Sequence, residues 1–329
     1  MITVLVTGAG ALLGQGIIRS LKRGTLDVKI VAVDPSPLAP ALYWVDEAYG
    51  VPMANDADYL PRLREVIGRC GADVLIPGTD VELEILSEAR AVIEAEQDCK
   101  VLVSSPEVVR IADDKYATAA FFRDAGFDYP GSAKGEDGAE IDALVEKVGF
   151  PLIVKPRVGA RSIGVSRVTD RAQLDRALDG REGLVVQECV GGDEAEYTAS
   201  ALVFDGQPTV SVVMRRDLRD GNTYRAFTEP FDELHGLTRR WGEALGPYGP
   251  ANFQFRLDAE GRAKVFEING RFSGTTPLRQ LVGFDEVEMC LRHLVLGEDL
   301  TQPVIEEAAI LRHWSETKVS YDDLDRFDG

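Results

Sequence analysis

Cysteine and histidine are scarce in this sequence. Four cysteines, Cys70, Cys99, Cys189 and Cys290, stand far apart in 329 residues and form no CxxC pair. Only three histidines accompany them, which argues against a Cys/His zinc site, and separated thiols fit a reducing cytoplasm better than a disulfide framework. Long apolar runs are missing too, none approaching the roughly 18 residues that a membrane span needs. No basic segment with a small-residue cleavage site precedes the strand-like run at residues 2–6, so a cytoplasmic location is expected. Positive charge is the last shortage. Lys+Arg number 36 against 55 Asp+Glu, a net charge of -19, and such a surface repels nucleic-acid backbones and anionic lipid. An anionic ligand needs a local basic pocket set against that field.

What is present suits a globular chain. At 45% hydrophobic and 28% charged, the sequence can bury a sizeable core, and its length suggests two or three units. Strands at 2–7, 29–34, 73–77 and 100–104 alternate with helical spacing at 12–23, 59–70 and 81–96, which predicts a parallel sheet covered on both faces. This Rossmann-like unit is placed at residues 1–110. A second unit, 111–190, holds a helix at 115–125, strands at 152–155, 165–168 and 184–188, and a glycine-containing loop at 159–164. In the third, 191–329, strands at 197–204, 209–215, 252–257 and 263–268 are punctuated by Asp205-Gly206 and Glu260-Gly261, with helices at 234–245 and 286–296.

The N-terminal motif Thr7-Gly8-Ala9-Gly10-Ala11-Leu12-Leu13-Gly14 follows a strand and opens a helix, where exposed amides could seat a pyrophosphate, with Asp34 placed for a ribose. The spacing is GxGxxxG, one residue longer than the dinucleotide fingerprint, and no Tyr-x-x-x-Lys dyad follows. Tight turning and close helix–strand packing explain the glycines better, although the turn could still touch a small substrate.

Four elements downstream are weak singly and strong together. Asp113-Asp114-Lys115 opens a helix, where Lys115 could reach a phosphate or simply sit in a solvated first turn. Lys155 ends the apolar strand Leu152-Ile153-Val154-Lys155-Pro156, a placement that suits a fixed point charge on phosphate as well as mere snorkelling. Gly159, Ser162 and Gly164 let amides close over phosphates as a lid, with Arg161 either a phosphate contact or a solvated side chain. On the C-terminal strands, Gln254, Glu267 and Asn269 offer oxygens that suit magnesium, with Arg271 beside them on the same face. Arg271 could hold a transferring phosphoryl group or a substrate carboxylate.

Read together, Asp114-Lys115, Ile153-Val154-Lys155-Pro156, Gln187-Glu188-Cys189-Val190 and Phe266-Glu267-Ile268-Asn269-Gly270-Arg271-Phe272-Ser273 resemble the ATP-grasp superfamily, in particular its carbamoyl-phosphate-synthase-like branch of carboxylate–amine ligases. The resemblance implies a pre-ATP-grasp domain at 1–110 and a two-lobed α+β ATP-grasp domain after it. It implies ATP with magnesium, or manganese in its place, as cofactors. Lys115 and Lys155 would bind phosphates, backbone near Glu188 and Val190 would bind adenine, and Glu196 the ribose, with Glu194 as fallback. Gln254, Glu267 and Asn269 would hold the metal, Gln254 contributing no charge. Catalysis would fall to Arg271 and Lys155.

The implied reaction activates a carboxylate as an acyl phosphate, which an amine or thiol then attacks, with an amino acid as one candidate partner. Substrate candidates are Ser273 and Thr275 ahead of a helical run containing Arg279, whose N-terminal amides attract a carboxylate, and Arg215 in a basic cluster equally readable as a solvated hairpin. Three other outcomes stay open: an ATP-grasp kinase stopping at a phosphorylated product, an NAD(P)-dependent reductase using residues 8–14, and a regulatory nucleotide-binding domain without turnover. A homodimer is the default assembly. The acidic tail at 322–329 is unassigned.

Overall fold

The computed structural model describes residues 1–159, 163–192 and 196–324. Three sheets follow one another along the chain. The first holds β1 (Ile2–Val6), β2 (Val28–Asp34), β3 (Glu47–Gly50), β4 (Val74–Ile76) and β5 (Lys100–Val101), all parallel, in the order β3-β2-β1-β4-β5. Helices Leu12–Arg23, Tyr59–Cys70 and Leu83–Gln97 connect its strands. Most residues of β1, β2 and β4 are apolar and buried, as a sheet covered on both faces requires. β3 escapes the sequence pattern because its four residues, Glu-Ala-Tyr-Gly, carry no apolar run.

The order reverses between β1 and β4, and the glycine turn lies at that switch point. Gly8 adopts a positive φ of 58°, and a Cβ on Gly14 would lie 2.2 Å from Gly8 O. The glycines therefore serve close backbone packing. The amides of the turn are engaged internally: Ala9 N–H donates to Val33 O (3.2 Å), Gly10 N–H to Asp34 Oδ2 (2.7 Å) and Ala11 N–H to Gly8 O (2.9 Å). Buried Glu82 fastens the same turn by accepting from Thr7 Oγ1, Thr79 Oγ1 and Tyr59 OH.

The second sheet is antiparallel and holds β6 (Ser132–Lys134), β7 (Leu152–Pro156), β8 (Ser166–Val168) and β9 (Leu184–Glu188) in the order β6-β9-β7-β8. Strand alternation sends Leu152, Val154, Leu184 and Val186 into a core with Ile141, Leu144 and Leu174 of helices Gly138–Val148 and Arg171–Leu178. Ile153, Lys155 and Gln187 are left on the opposite face.

The third sheet, also antiparallel, holds β10 (Glu196–Val203), β11 (Val210–Arg219), β12 (Asn222–Phe227), β13 (Gly249–Leu257), β14 (Ala263–Asn269) and β15 (Ala309–Leu311), ordered β14-β13-β10-β11-β12-β15. One face buries Ala199, Ala201, Phe253 and Phe255 against Trp241 of helix Asp232–Leu245 and Phe122 of helix Lys115–Asp124. Phe122 meets Trp241 edge-on at 5.8 Å. The far end of β10 and β11 packs elsewhere: Leu202, Phe204, Val210 and Val212 share a core with Val4, Val6 and Ile17 of the first unit. The other face of this sheet looks across a cleft at β7 and β9. Among the described residues, no helix is long and apolar enough to cross a membrane.

Candidate functional site

The cleft between the second and third sheets is lined from one side by Lys115, Ile153, Lys155 and Gln187, and from the other by Glu196, Arg216, Gln254, Arg256, Phe266 and Glu267. Cys189 and Val190 close its end.

Lys155 is buried, and its Nζ donates to Gln187 Oε1 at 2.8 Å and to Phe266 O at 3.4 Å. Burial lowers its pKa to about 8, with Lys115 pushing the same way and Glu267 opposing. Lys115, at the start of its helix, donates to Gly159 O at 2.6 Å and to Arg157 O at 3.5 Å. That helix is capped by Asp114, which accepts from Tyr116 N–H (2.8 Å) and Ala117 N–H (3.3 Å) and holds Arg157 through both carboxylate oxygens. So among the described residues both lysines bond to neutral oxygens.

The opposite wall follows from register. Asn252 stands across from Asn269 and Gln254 from Glu267, so the four polar side chains share one face while Phe253 and Ile268 enter the core. A bulge after Gln254 leaves Phe266 without a partner in the ladder, and Phe266 lines the cleft beneath Lys155 at 5.3 Å. Gln254 Nε2 donates to Glu267 Oε1 (3.2 Å) and Asn269 Oδ1 (3.1 Å), so these two oxygens converge on one locus. Behind them, Asn252 Nδ2 donates to Asn269 Oδ1 at 3.0 Å, and Asn252 Oδ1 accepts from Arg279. Magnesium fits this donor set, since it keeps several waters and needs few protein ligands. Among the described residues no group of three or more His, Cys, Asp or Glu forms a metal cluster, and Glu267 is the carboxylate at this locus, beside amide oxygens that could complete a set.

Glu196 lies in the cleft with both oxygens engaged: Arg216 donates to Oε1 at 2.6 Å and Arg256 to Oε2 at 2.7 Å. Burial alone would raise this carboxyl, and the two guanidiniums hold it below the ordinary carboxylate range. Glu188 turns its side chain away, accepting from Lys264 Nζ (2.6 Å) and Gly131 N–H (2.9 Å), so what Glu188 itself offers the cleft is backbone. Val190 is buried at that end. Arg271 lies past the strand end, where it donates to Asp80 Oδ1 and Oδ2 at 2.7 and 2.8 Å and to Phe272 O at 2.9 Å. Ser162, Arg161 and the fallback Glu194 lie outside the described residues.

The substrate candidates need correction. Arg215 stands across β10–β11 from Tyr197, so it faces the side opposite Glu196, and it rests on the Phe227 ring at 4.2 Å. Arg279 is fully buried, paired with the equally buried Glu286 at 2.9 Å and bonded to Asn252. Ser273 and Thr275 are buried and bonded to each other at 2.6 Å, and the amides of 275, 276, 278 and 279 all have internal acceptors. Among the described residues, the amides of this helix start are thus spent on internal acceptors. Sequence reasoning passes over Asn252 and Asp80 and gives Gln187 and Arg216 no role of their own. The basic run at 215–219 signals Arg216, but only the register tells it from its neighbour.

Comparison with known proteins extends the geometry. A family model described as "PylC-like, N-terminal domain" matches residues 4–102, "D-ala D-ala ligase C-terminus" matches 129–229, and "ATP-grasp in the biosynthetic pathway with Ter operon" matches 181–317. The D-alanine--D-alanine ligase of Neisseria gonorrhoeae is 26% identical over 176 residues, 48% of this chain and 57% of the ligase, so the chain spans little more than half the length of that relative. A formate-dependent phosphoribosylglycinamide formyltransferase of a Synechococcus strain is 27% identical over 316 residues, 90% of this chain and 76% of the relative. Among solved structures, the biotin carboxylase domain dimer of the Hydrogenobacter thermophilus 2-oxoglutarate carboxylase, in complex with MgADP, ADP and bicarbonate, superposes with a TM-score of 0.74 at 19% identity, covering 93% of this chain and 72% of that one. Its likeness concerns the fold. With the paired lysines, the facing sheets and the Glu-x-Asn strand end already in place, the family models matched over residues 129–317 and the ligase relatives support the ATP-grasp superfamily for this chain.

Proposed function

We propose that this protein is an ATP-dependent ligase that activates a small carboxylate as an acyl phosphate and joins it to an amine or similar nucleophile. The observation that carries the reading is the state of the two lysines. In a chain of net charge -19, Lys115 and Lys155 keep cations bonded to neutral oxygens across a cleft from Glu267, to which Asn269 is hydrogen-bonded. That arrangement suits a polyphosphate with a hard cation. In this reading the lysines hold the phosphates, backbone at 188–190 meets adenine and Glu196 takes the ribose hydroxyls. Glu267 and Asn269 hold magnesium, which when bound neutralises phosphate charge. Arg271 faces the transferring group once it leaves Asp80. A carboxylate oxygen attacks the γ-phosphorus as the bond to ADP breaks. The nucleophile then attacks the acyl carbon, phosphate leaves and the amine loses a proton. The relatives' names cite D-alanine and formate, which supports a small carboxylate, with an amino acid the first to try. A homodimer is proposed as the assembly.

The test is release of ADP and phosphate from magnesium-ATP with pooled amino acids and small carboxylates. Substrate-dependent release of both products supports the ligase. ADP without free phosphate indicates the kinase outcome. No ATP binding overturns the reading and returns attention to residues 8–14.

A further inference from the structure

Arg216 sits where the ribose and metal halves of the cleft meet. It is 8% exposed, and one terminal nitrogen donates both to Glu196 Oε1 (2.6 Å) and to Gln254 Oε1 (2.7 Å), while the other reaches Thr223 Oγ1 at 3.4 Å. Chemistry settles which way the Gln254 amide points. A guanidinium has no acceptor, so the atom facing Arg216 is oxygen, and a carboxylate has no donor, so the group facing Glu267 is NH2. The amide's donor end therefore covers the two oxygens that suit a cation. For Gln254 to present its own oxygen there, the amide must turn over. Its NH2 would then face Arg216, donor against donor. Arg216 has to release Gln254 first.

We propose that Arg216 couples nucleotide binding to metal binding. Without nucleotide it pins Gln254 with the NH2 group over the metal locus and disfavours a free divalent cation. When ribose hydroxyls donate to Glu196 they compete with Arg216, which lets go of Gln254 and opens the locus. Glu196 retains Arg256 at 3.1 and 2.7 Å, so it stays in place as Arg216 moves. The inference rests on the functional reading above, in which Glu196 is the ribose acid. The coupling is reciprocal: whatever factor the nucleoside adds to cation affinity, the cation adds to nucleoside affinity.

Adenosine makes the decisive probe, because it carries the ribose but no phosphate that could bind metal itself. Free manganese(II) is followed by electron paramagnetic resonance in a titration of the full chain, with and without saturating adenosine. Wild type is expected to bind manganese about tenfold more tightly with adenosine, the scale of one charged hydrogen bond released. Arg216→Lys keeps the charge but loses the planar fork. It is expected to bind manganese about tenfold more tightly without adenosine and to gain little on adding it. No adenosine effect in wild type overturns the proposal, as does an Arg216→Lys protein that responds like wild type. If magnesium-ATP binds and turns over while the adenosine effect is missing, only the coupling fails. If magnesium-ATP does not bind, the functional reading falls and the coupling with it.

Discussion

Two places in this molecule look like nucleotide seats in the sequence, the glycine turn at residues 8–14 and the cleft around Lys155, and the structure treats them oppositely. In the turn, three successive amides already have acceptors, and the glycines exist so that backbone can touch backbone. In the cleft, two lysines donate to carbonyl-type oxygens that leave their charge unneutralised. The arginines nearby differ from both, since Arg216, Arg271 and Arg279 each face a carboxylate. A seat for an anion is recognised by donors not yet committed to an anion, and glycine spacing says little about that.

The most severe break of this comparison is Glu267→Ala. It removes the carboxylate of the proposed metal set, and substrate-dependent ADP release is expected to fall about a hundredfold or more, roughly 3 kcal/mol of barrier. An unchanged rate in a steady-state assay would move the metal away from β14. Next comes Gly14→Ala. The added carbon meets Gly8 O, a backbone atom that cannot swing aside, so stability should drop by about 1–3 kcal/mol in urea titration while ATP affinity stays as in wild type. Lost nucleotide binding at intact stability would reverse the assignment of the two seats.

How much of this was legible in the sequence depended on what the signal was made of. Apolar runs placed β1, β2, β7 and β9 to within about two residues, and helix Glu286–Leu296 declared itself between Asp285 and Gly297. The shared face of Glu267 and Asn269 was legible because a strand's side chains alternate with a period of two. Short elements such as β6 and β15 were not, because three residues pairing at a sheet edge leave no periodic trace. Arg279, offered by the sequence as a substrate candidate, is instead buried as an ion pair with Glu286 seven positions on, a partner that the local motif does not signal. Asp80 lies 191 residues from Arg271, a separation that no local pattern spans.

A milder way to sharpen the comparison uses pH. In the proposed reading phosphate binding needs the charged form of Lys155, whose pKa burial brings down to about 8. The kcat/KM for ATP, which reports the free enzyme, should therefore decline above about pH 8, approaching tenfold per pH unit. Stability runs the other way. The unfolded lysine titrates near 10.5, so between about 8 and 10.5 the unfolded chain binds more protons and rising pH favours the fold through this group. Lys155→Met should remove both trends. A kcat/KM profile that stays flat to pH 9.5 in wild type would mean that Lys155 does not serve the nucleotide.

The smallest effect is expected at Arg215, and its smallness is informative. Arg215 and Arg216 are adjacent on β11, and the register of β10 with β11 runs without interruption through Arg215, opposite Tyr197. The irregularity against β12 falls later, between Asp217 and Leu218, so alternation through 215 and 216 is intact. Arg215 thus points to the side away from the cleft, over Phe227 and 3.5 Å from Glu229, and is 30% exposed there. Arg215→Ala gives up one exposed cation–π contact and weak ion pairs, a loss of under about 1 kcal/mol in stability. Its KM for ATP and for the carboxylate should stay within about twofold of wild type. A tenfold rise in either would mean that the strand is flipped by one residue at this point, which would place Arg215 in the cleft and Arg216 outside it.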